Sequence, residues 1–466
     1  MRTQGRDGGD MVTTDQSRSA HEALSKDFPD AITGPNDAGW DAARYSFNVL
    51  IDQRPEAVAR PESSAQTADI VRAARELGLR IHVQGSSHNP GPVGPLDGYL
   101  LMRFDRMKEV TIDADGETAR VEAGARWWDV VPQTSELGLS ALHGSSPEVN
   151  VVGYSLGGGI GWQARKKGMQ ANSITAIEAV TAAGDQVRAD ADNEPDLFWA
   201  LRGGSGNFAV VTALEFRLHP VEGFYAGNLF YPFERGTDVL HAWREWTRSA
   251  PEEVTTTARL LQFPPLEEIP EIVRGKSFAV VNGAFLGSEE DGEELFKPLR
   301  DLSPEMDGVG MVPPGALSEM HMDPVDPMPY LTTHSMVDDL TEAAIDDAAE
   351  IAEAAPVPIL ELRHVGGALS RPAEGCGAIA ALPGEYVTFG VAPVFDPSAV
   401  PQTEAALSRL DGAFAANDVG RYLNFTEVET DVAAMFPPET LVRLREVKAA
   451  YDPDNAIRGN HAVGAP

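Results

Sequence analysis

A short turn rich in small residues, directly after an apolar strand, constrains this chain more than any other feature. Residues 80–83 read Arg-Ile-His-Val and predict a strand, and residues 85–89 (Gly-Ser-Ser-His-Asn) follow it. Small residues let successive backbone N–H groups approach a phosphate closely and form a concave anion site. A second small-residue segment begins at residues 143–146 and continues through a glycine run over 153–161. Two such loops predict a bound dinucleotide, which His88 can contact covalently.

Length, charge and cysteine usage narrow the class of protein. A chain of 466 residues is too long for one small core, so two domains are expected. The formal net charge of −34 argues against nucleic acid as a partner, because phosphate binding needs clustered Lys and Arg. No apolar run is long enough to predict a membrane span. Residues 1–10 lack the apolar stretch of a signal peptide, and we interpret them as a disordered leader. The single cysteine, Cys376, excludes an internal disulfide framework and a cysteine-rich metal site, and a cytoplasmic location is expected.

Short strands and helices mix irregularly through residues 50–220, which is typical of an α+β unit. Hairpins are predicted around residues 115–116 and 183–185, and a helix over 126–137. After residue 220 the pattern indicates a second α+β unit. Its predicted strands are residues 224–232, 278–285, 359–364, 385–394 and 421–425. Its predicted helices include residues 239–249 and 341–354, and residues 251–275 are described as proline-rich, with no strand predicted there.

The glycine run over 153–161 permits several interpretations. It is not a Rossmann fingerprint, because the strand–glycine–helix order and the acidic residue about twenty positions later are not clearly present. Ser155 lies in a Gly-x-Ser-x-Gly pattern, but glycines rather than a helix follow it, which argues against a hydrolase. The plain alternative is a flexible loop. We favour a loop whose backbone lies against a flat ring or a pyrophosphate, where any Cβ atom would collide.

Two pairs of polar residues in the predicted strands of the second unit are candidates for chemistry. Tyr422 and Asn424 are two positions apart, as are Glu361 and Arg363, so each pair shares one face of its strand. Buried polar groups on a shared face need partners. Alternatively, these residues form an internal salt bridge or lie on a solvent-exposed face of the strand and have no role in catalysis. His334 is a further candidate, and no spacing typical of metal ligands occurs, so no metal ion is expected.

Four motifs carry a resemblance to a known family. Residues 84–89 (Gln-Gly-Ser-Ser-His-Asn) are similar to its first phosphate loop, and residues 144–147 with 153–161 are similar to its second flavin-binding loop. Residues 194–204 (Glu-Pro-Asp-Leu-Phe-Trp-Ala-Leu-Arg-Gly-Gly) match a very specific family string, and residues 451–460 match its C-terminal signature. The chain thus resembles the FAD-linked oxidases of the vanillyl-alcohol oxidase superfamily, in the branch of berberine bridge enzyme-like proteins and 6-hydroxynicotine oxidase.

The resemblance implies a fold of the α+β class. The expected architecture is a two-domain PCMH-type FAD-binding fold, whose substrate domain is an antiparallel sheet covered by helices. Residues 1–44 are expected to form a leader and an N-terminal helix. Residues 45–220 are expected to form the FAD-binding domain, completed by residues 430–466, and residues 221–429 the substrate domain with its inner face over the flavin.

The resemblance also implies how FAD is held. His88 is expected to form a single covalent link, because Ser146 stands where many relatives carry a second, cysteine tether. The first loop departs from the family, since Gln84 replaces an arginine and Ser86 and Ser87 replace glycines. The expected cofactor-binding residues are Gln84, Gly85, Ser86, Ser87, His88, Asn89, His143, Gly144, Val149, Gly153, Gly157, Gly158, Gly161, Val180, Asn424 and Asn460.

The implied reaction removes hydride from a C–H bond next to an alcohol or amine of a small molecule. Dioxygen is the expected acceptor and hydrogen peroxide its product. Tyr422 is the first candidate for the group that takes the substrate's proton, followed by Glu361 and His334, and Arg363 can supply positive charge. The alternatives are a flavoprotein that binds its ligand without turnover, a dehydrogenase with another electron acceptor, and an NAD-dependent dehydrogenase, which the missing Rossmann fingerprint opposes. No motif indicates a particular substrate.

Overall fold

The computed structural model describes residues 13–267, 269–354 and 357–464, and its mixed helices and sheets have the predicted α+β class. The expected leader at residues 1–10 lies outside this part of the chain, and Thr13–Asp27 forms a helix. Among the described residues, no helix is long and apolar enough to cross a membrane.

The described strands form four sheets. The first is five-stranded, in the order Ile32–Thr33, Ala57–Ala59, Tyr99–Met102, Arg80–Val83 and Ile457–Arg458. The second is also five-stranded, in the order Val110–Asp113, Thr118–Glu122, Ala209–Arg217, Ile174–Thr181 and Gln186–Ala189. A two-stranded sheet pairs His219–Pro220 with Leu139–Ser140. The last is nine-stranded, in the order Met306–Asp307, Phe224–Pro232, Ser277–Phe285, Val254–Gln262, Ile359–His364, Tyr386–Pro393, Tyr330–Val337 and Asp418–Gly420, with Gly310–Val312 paired to Phe224–Pro232.

The α-helices connect and cover these sheets. Their bounds are Thr13–Asp27, Trp40–Arg44, Ser64–Glu76, Trp127–Glu136, Val151–Leu156, Ala164–Lys167, Pro195–Leu201, Gly236–Thr247, Glu289–Arg300, Glu342–Ala354, Val400–Phe414 and Pro438–Tyr451.

The first sheet positions the small-residue turn. Arg80–Val83 pairs in parallel with Tyr99–Met102 on one side and with Ile457–Arg458 on the other. Its central side chains, such as Ile81 and Leu100, are fully buried, as expected for parallel strands covered on both faces. The turn therefore leaves the carboxyl end of an interior strand, which is where α/β sheets commonly bind ligands.

The second sheet is antiparallel and contains both predicted hairpins, which are confirmed. Its central strand, Ala209–Arg217, pairs with Thr118–Glu122 and with Ile174–Thr181. Buried side chains of the first two sheets, the helix Ser64–Glu76 and the C-terminal segment belong to one continuous core. The two small-residue loops are consequently anchored on the same packed body.

In the central strands of the nine-stranded sheet, an apolar row faces one side and a polar row the other, because side chains alternate along each strand. Ala258 and Leu260 lie opposite Leu362 and Leu360, and they belong to a core shared with the helices Gly236–Thr247, Glu289–Arg300, Glu342–Ala354 and Val400–Phe414. The intervening residues lie on the other face, where Thr257 is opposite Arg363 and Arg259 is opposite Glu361. The polar row is therefore fixed by the same alternation that buries the apolar row.

The structure differs from the interpretation of the sequence at three places. Residues 251–275 contain an interior strand that was not predicted, Val254–Gln262, whose β-branched first half precedes most of the prolines. Residues 421–425 are not a strand, because the chain turns at Gly420, whose φ is +145°, and Leu423–Phe425 is a short 3₁₀ helix. The first part of the glycine run is not a flexible loop: Asn150 caps the helix Val151–Leu156 by accepting a hydrogen bond from the Gly153 N–H.

Candidate active site

The first loop, residues 84–89, presents a row of free backbone donors. Among the described residues, none of the N–H groups of residues 85–89 has a hydrogen-bond acceptor. Ser87 adopts the left-handed conformation, with a φ of +61°, which turns the chain sharply. Successive free N–H groups in such a turn form a concavity suited to an anion.

The first loop is fixed against the start of the helix Val151–Leu156. The Asn150 N–H donates to the Ser86 hydroxyl at 3.0 Å. A Cβ atom at Gly85 would come within 2.4 Å of the Asn150 side chain, so only glycine permits this approach. Gln84 turns away from this contact and donates to Gln53 at 2.7 Å. The two loops thus meet through Ser86, Gly85 and Asn150.

His88 is held on three sides. Its ring stacks on Phe47 with a centroid distance of 3.9 Å, and the Tyr330 hydroxyl donates to its carbonyl at 2.8 Å. Its Nε2 atom lies 3.0 Å from Oε1 of Glu148, whose side chain is only 1 % exposed. These two atoms are close but do not have the geometry of a complete hydrogen bond.

The C-terminal segment reaches the first loop through Asn460. The Asn460 amide donates to the Asn89 carbonyl, and the Asn89 amide donates to the Thr426 carbonyl at 2.7 Å. His461 also contacts the Thr426 carbonyl, at 2.9 Å. Residues distant in sequence therefore support the loop that carries His88.

The glycines of the second loop are required by protein neighbours. A Cβ atom at Gly157 would come within 1.8 Å of the Asn424 side chain, and one at Gly161 within 1.9 Å of the His143 carbonyl. Gly158 has a φ of +111°, which a side chain would strain. From the sequence, a Cβ atom in this run is expected to collide with a flat ring or a pyrophosphate. At Gly157 and Gly161 the added Cβ atom would instead collide with protein groups. Gly153 differs, because the nearest atom to its added Cβ would be 3.5 Å away.

Three further predicted residues have mainly structural contacts. His143 bonds through Nδ1 to the Gly144 carbonyl at 2.8 Å, and burial lowers its pKa to about 4, so the ring is neutral. The Val149 carbonyl accepts the Trp127 N–H at 3.1 Å. Val180 is fully buried in the second sheet, opposite Val210.

Several buried polar atoms around the loops have no hydrogen-bond partner in the described part of the chain. They include His88 Nε2, Asn89 Oδ1, both carboxylate oxygens of Glu148 and both amide atoms of Gln170. Gln170 packs beside Gly159, within 2.9 Å of where that residue's Cβ would be. Because buried polar groups normally have partners, these atoms are available to a polar ligand. Together with the free N–H groups of the first loop, the unpaired amide atoms of Asn89 and Gln170 fit the pyrophosphate and ring atoms of FAD.

Tyr422 brings the C-terminal segment to the glycine run. Its hydroxyl oxygen accepts hydrogen bonds from the Gly159 N–H at 2.9 Å and from the Asn424 amide at 3.1 Å. The Asn424 amide also donates to the Tyr154 carbonyl, at 2.9 Å. Tyr422 is 1 % exposed, and burial raises its pKa above the ordinary value although both donors act against this shift. The phenol is therefore neutral at neutral pH.

The polar face of the nine-stranded sheet carries a buried ionic cluster. Glu361 accepts from Arg363 Nε at 2.8 Å and lies 2.6 Å from His321 Nε2. Arg259 lies 3.6 Å from Glu361 and 3.7 Å from Asp323. Burial opposes ionisation of Glu361, but the neighbouring Arg363, His321 and Arg259 outweigh it and hold the pKa of this carboxyl well below its ordinary value. Glu361 is thus a fixed carboxylate.

His334 lies behind Tyr422. The Tyr422 N–H donates to His334 Nε2 at 3.0 Å, and burial lowers the pKa of His334 to about 3. Its accepting nitrogen is already occupied, so in this arrangement His334 holds the backbone of Tyr422. The structure therefore brings Tyr422 and Asn424 to the glycine run, and leaves His334 as their support.

Side chains of the nine-stranded sheet and its loops meet the second loop directly. The hydroxyls of Ser145 and Ser146 donate to Asp323, the former at 3.1 Å. The Arg363 guanidinium lies over the Phe425 ring, 5.5 Å from its centroid. Sequence reasoning missed Arg259, His321 and Asp323. Arg259 could have been found, because it alternates with Thr257 in a β-branched run that predicts a strand with both residues on one face. His321 and Asp323 lie in a loop whose sequence has no such pattern.

Two family models match parts of this chain, and relatives match it over nearly its whole length. Residues 55–190 match the FAD binding domain family, and residues 421–464 match the family described as berberine and berberine like. The (R)-6-hydroxynicotine oxidase of Paenarthrobacter nicotinovorans is 28 % identical over 92 % of this chain and 95 % of the relative. The xylooligosaccharide oxidase of Thermothelomyces thermophilus is 27 % identical over 96 % and 94 %.

Among solved structures, a glucooligosaccharide oxidase from Acremonium strictum, which contains 6-S-cysteinyl, 8α-N1-histidyl FAD, has the same fold. It matches with a TM-score of 0.80 and 21 % identity, covering 96 % of this chain and 99 % of that one. The matched segments include the first loop, the helix after Asn150 and the segment that carries Tyr422 and Asn460. The chain thus carries segments that match the FAD binding domain and the berberine and berberine like families, and over nearly its whole length it is similar to FAD-linked oxidases, as the resemblance of its loops predicted.

Proposed function

We propose that this protein oxidises an alcohol or amine group of a small molecule and passes the electrons to dioxygen. The observation that carries the proposal is the buried Tyr422 hydroxyl, which accepts two hydrogen bonds at the glycine run. A phenol oxygen with two donors is prepared to carry negative charge when its proton leaves. A proton acceptor at the flavin loops is what oxidation of an O–H or N–H substrate requires.

The residues that hold FAD are those of the two loops. The free N–H groups of residues 85–89 bind the pyrophosphate, and Asn89 and Gln170 supply unpaired polar atoms to the rest of the cofactor. FAD, when bound, supplies the hydride acceptor of the reaction. The protein's part is to bind, orient and handle protons.

In its ionised form, Tyr422 takes the proton from the substrate's hydroxyl or amine and returns to the neutral phenol. The Gly159 N–H and the Asn424 amide stabilise the phenolate that this step requires, and the positive charge of Arg363 acts in the same direction. His334 keeps the Tyr422 backbone in place through its contact with the Tyr422 N–H. Glu361 is less suited to this task, because Arg363 and His321 stabilise its ionised form and so reduce its basicity.

Attachment of FAD is proposed to occur through His88 alone. The glucooligosaccharide oxidase carries both a cysteinyl and a histidyl link. Here Ser146 occupies the place that the sequence comparison gave to the second tether, and its hydroxyl donates to Asp323. The chain's single cysteine, Cys376, follows the short helix Gly367–Ser370 in another part of the sequence.

Anaerobic mixing with candidate substrates tests the reaction. The panel contains 6-hydroxynicotine and related amines, and xylo- and gluco-oligosaccharides, since these are the chemical classes named for the relatives. Loss of the oxidised flavin absorbance with one class, followed by stoichiometric peroxide when air is admitted, supports the proposal. Bleaching without reoxidation by air indicates a dehydrogenase with another acceptor, and no bleaching with any alcohol or amine indicates a binding protein.

A further inference from the structure

Glu148 is a buried carboxylate that the proposed reaction leaves without a role. Its side chain is 1 % exposed, and neither of its oxygens has a hydrogen-bond donor in the described residues. An unpaired carboxylate in the interior is costly, because burial removes its hydration. Its close neighbour is His88 Nε2, at 3.0 Å.

The imidazole of His88 is restrained from its other sides. Phe47 stacks on the ring, and Tyr330 fixes the backbone through the carbonyl. A carboxylate beside Nε2 favours the tautomer with its proton on Nε2. The lone pair is then on Nδ1, which has no hydrogen-bond partner recorded among the described residues and is free to act as a nucleophile.

We propose that Glu148 is the positioning residue that directs His88 to attach FAD through Nδ1 and that receives the imidazole proton. This inference rests on the single covalent link at His88 proposed above. A C–N bond forms between Nδ1 and a methyl carbon of the flavin ring system, and one C–H bond of that methyl group breaks. Two electrons enter the ring system and are passed to dioxygen, which leaves as hydrogen peroxide with two protons.

The two protons have separate sources. One comes from the methyl group and the other from the imidazole. Attack by Nδ1 leaves the ring positively charged with its proton on Nε2, beside the Glu148 carboxylate. The carboxylate stabilises this charge and then accepts the proton. Without it, the cation forms with no counter-charge in contact, and attachment slows.

The test compares the rate of attachment with the amount of FAD bound. Flavin-free wild-type protein and the variants E148Q, E148D and H88A are mixed with FAD in air, and samples are precipitated with acid at intervals. Flavin in the pellet is covalently attached, and flavin in the supernatant was bound without a link. E148Q is expected to bind FAD at wild-type stoichiometry but to attach it on the order of 100-fold more slowly, the usual contribution of a positioned proton acceptor. E148D, which keeps a carboxylate, is expected to recover part of the rate.

The control is E427Q, because Glu427 is another glutamate of this region and contacts Thr332 rather than His88. E427Q should attach FAD at the wild-type rate. A wild-type rate in E148Q overturns the proposal, and so does loss of FAD binding in both E148Q and E148D, which would assign Glu148 a purely structural role.

The atom of attachment is an independent measurement on the wild-type protein. NMR of the isolated flavin peptide should show the link at Nδ1 of His88, and a link at Nε2 overturns the role of Glu148. Wild-type flavin found entirely in the supernatant would instead refute the covalent link itself, while FAD binding remained. The failure of this inference and that of the proposed function are therefore distinguishable.

Discussion

Replacement of Tyr422 by phenylalanine tests the proposed proton acceptor most directly. The variant Y422F removes one oxygen atom and keeps the ring, which packs at an edge against Phe425 with centroids 5.4 Å apart. It leaves the Gly159 N–H without its acceptor and removes one of the two acceptors of the Asn424 amide. Because an unsatisfied buried donor costs about 1–3 kcal/mol, the free energy of unfolding should fall by a similar amount.

The effect on flavin reduction should be larger than the effect on stability. Loss of a positioned proton acceptor typically slows a reaction by about 10²–10⁴-fold, which corresponds to a barrier increase of roughly 3–5 kcal/mol. The assay is the anaerobic rate of flavin bleaching at saturating substrate, with FAD content checked first. Since burial raises the pKa of Tyr422, the wild-type rate should increase steadily from pH 7 to pH 9, and Y422F should lose this dependence.

The control is Y154F, which removes a neighbouring tyrosine hydroxyl that donates to the Leu142 carbonyl at 3.0 Å. Y154F should lose about 1 kcal/mol of stability for one hydrogen bond and retain the pH-dependent bleaching. If Y422F bleaches within about threefold of wild type with an unchanged pH profile, Tyr422 is not the proton acceptor.

Three further predictions concern stability. E361Q breaks a buried ionic cluster, so its free energy of unfolding, measured in denaturant titrations, should drop by about 3–5 kcal/mol. An unchanged denaturation midpoint would show that the cluster does not stabilise the fold. G158A forces a side chain onto a φ of +111° and should lower stability by about 1–3 kcal/mol, whereas G206A, where an added Cβ meets nothing within 4 Å, should change it by less than about 0.5 kcal/mol. Burial lowers the pKa of His82 and of His143 to about 4. Between pH 7 and pH 5 the unfolded chain therefore takes up protons at these histidines that the folded chain does not. Urea titrations should show the free energy of unfolding falling by roughly 2 kcal/mol per histidine over this range.

The sequence was most informative where local pattern decides the structure. The strand 80–83, the hairpins of the second sheet and the strand with Glu361 and Arg363 are each determined by alternation or turn residues, and they were predicted correctly. The interior strand Val254–Gln262 was overlooked because the prolines after it dominated the interpretation.

The site was less predictable because its contacts join distant residues. Tyr422 and Asn424 were expected to meet on a strand face, whereas they meet across a 3₁₀ turn with a direct hydrogen bond. The contact between Glu148 and His88 joins two loops, and neither loop alone indicates it. The catalytic and cofactor-binding assignments, the domain borders and the cytoplasmic location remain predictions.

The outermost strand of the first sheet has a consequence for biosynthesis. Arg458 accepts a hydrogen bond from His82, 376 residues earlier in the chain, and Asn460 supports the loop that follows. Pairing across such a separation forms late, because the entropy lost on closing so long a loop must be compensated first. We therefore expect a nascent chain that ends before this strand to lack one support of the proposed FAD site, and to bind the cofactor only after the strand has been synthesised.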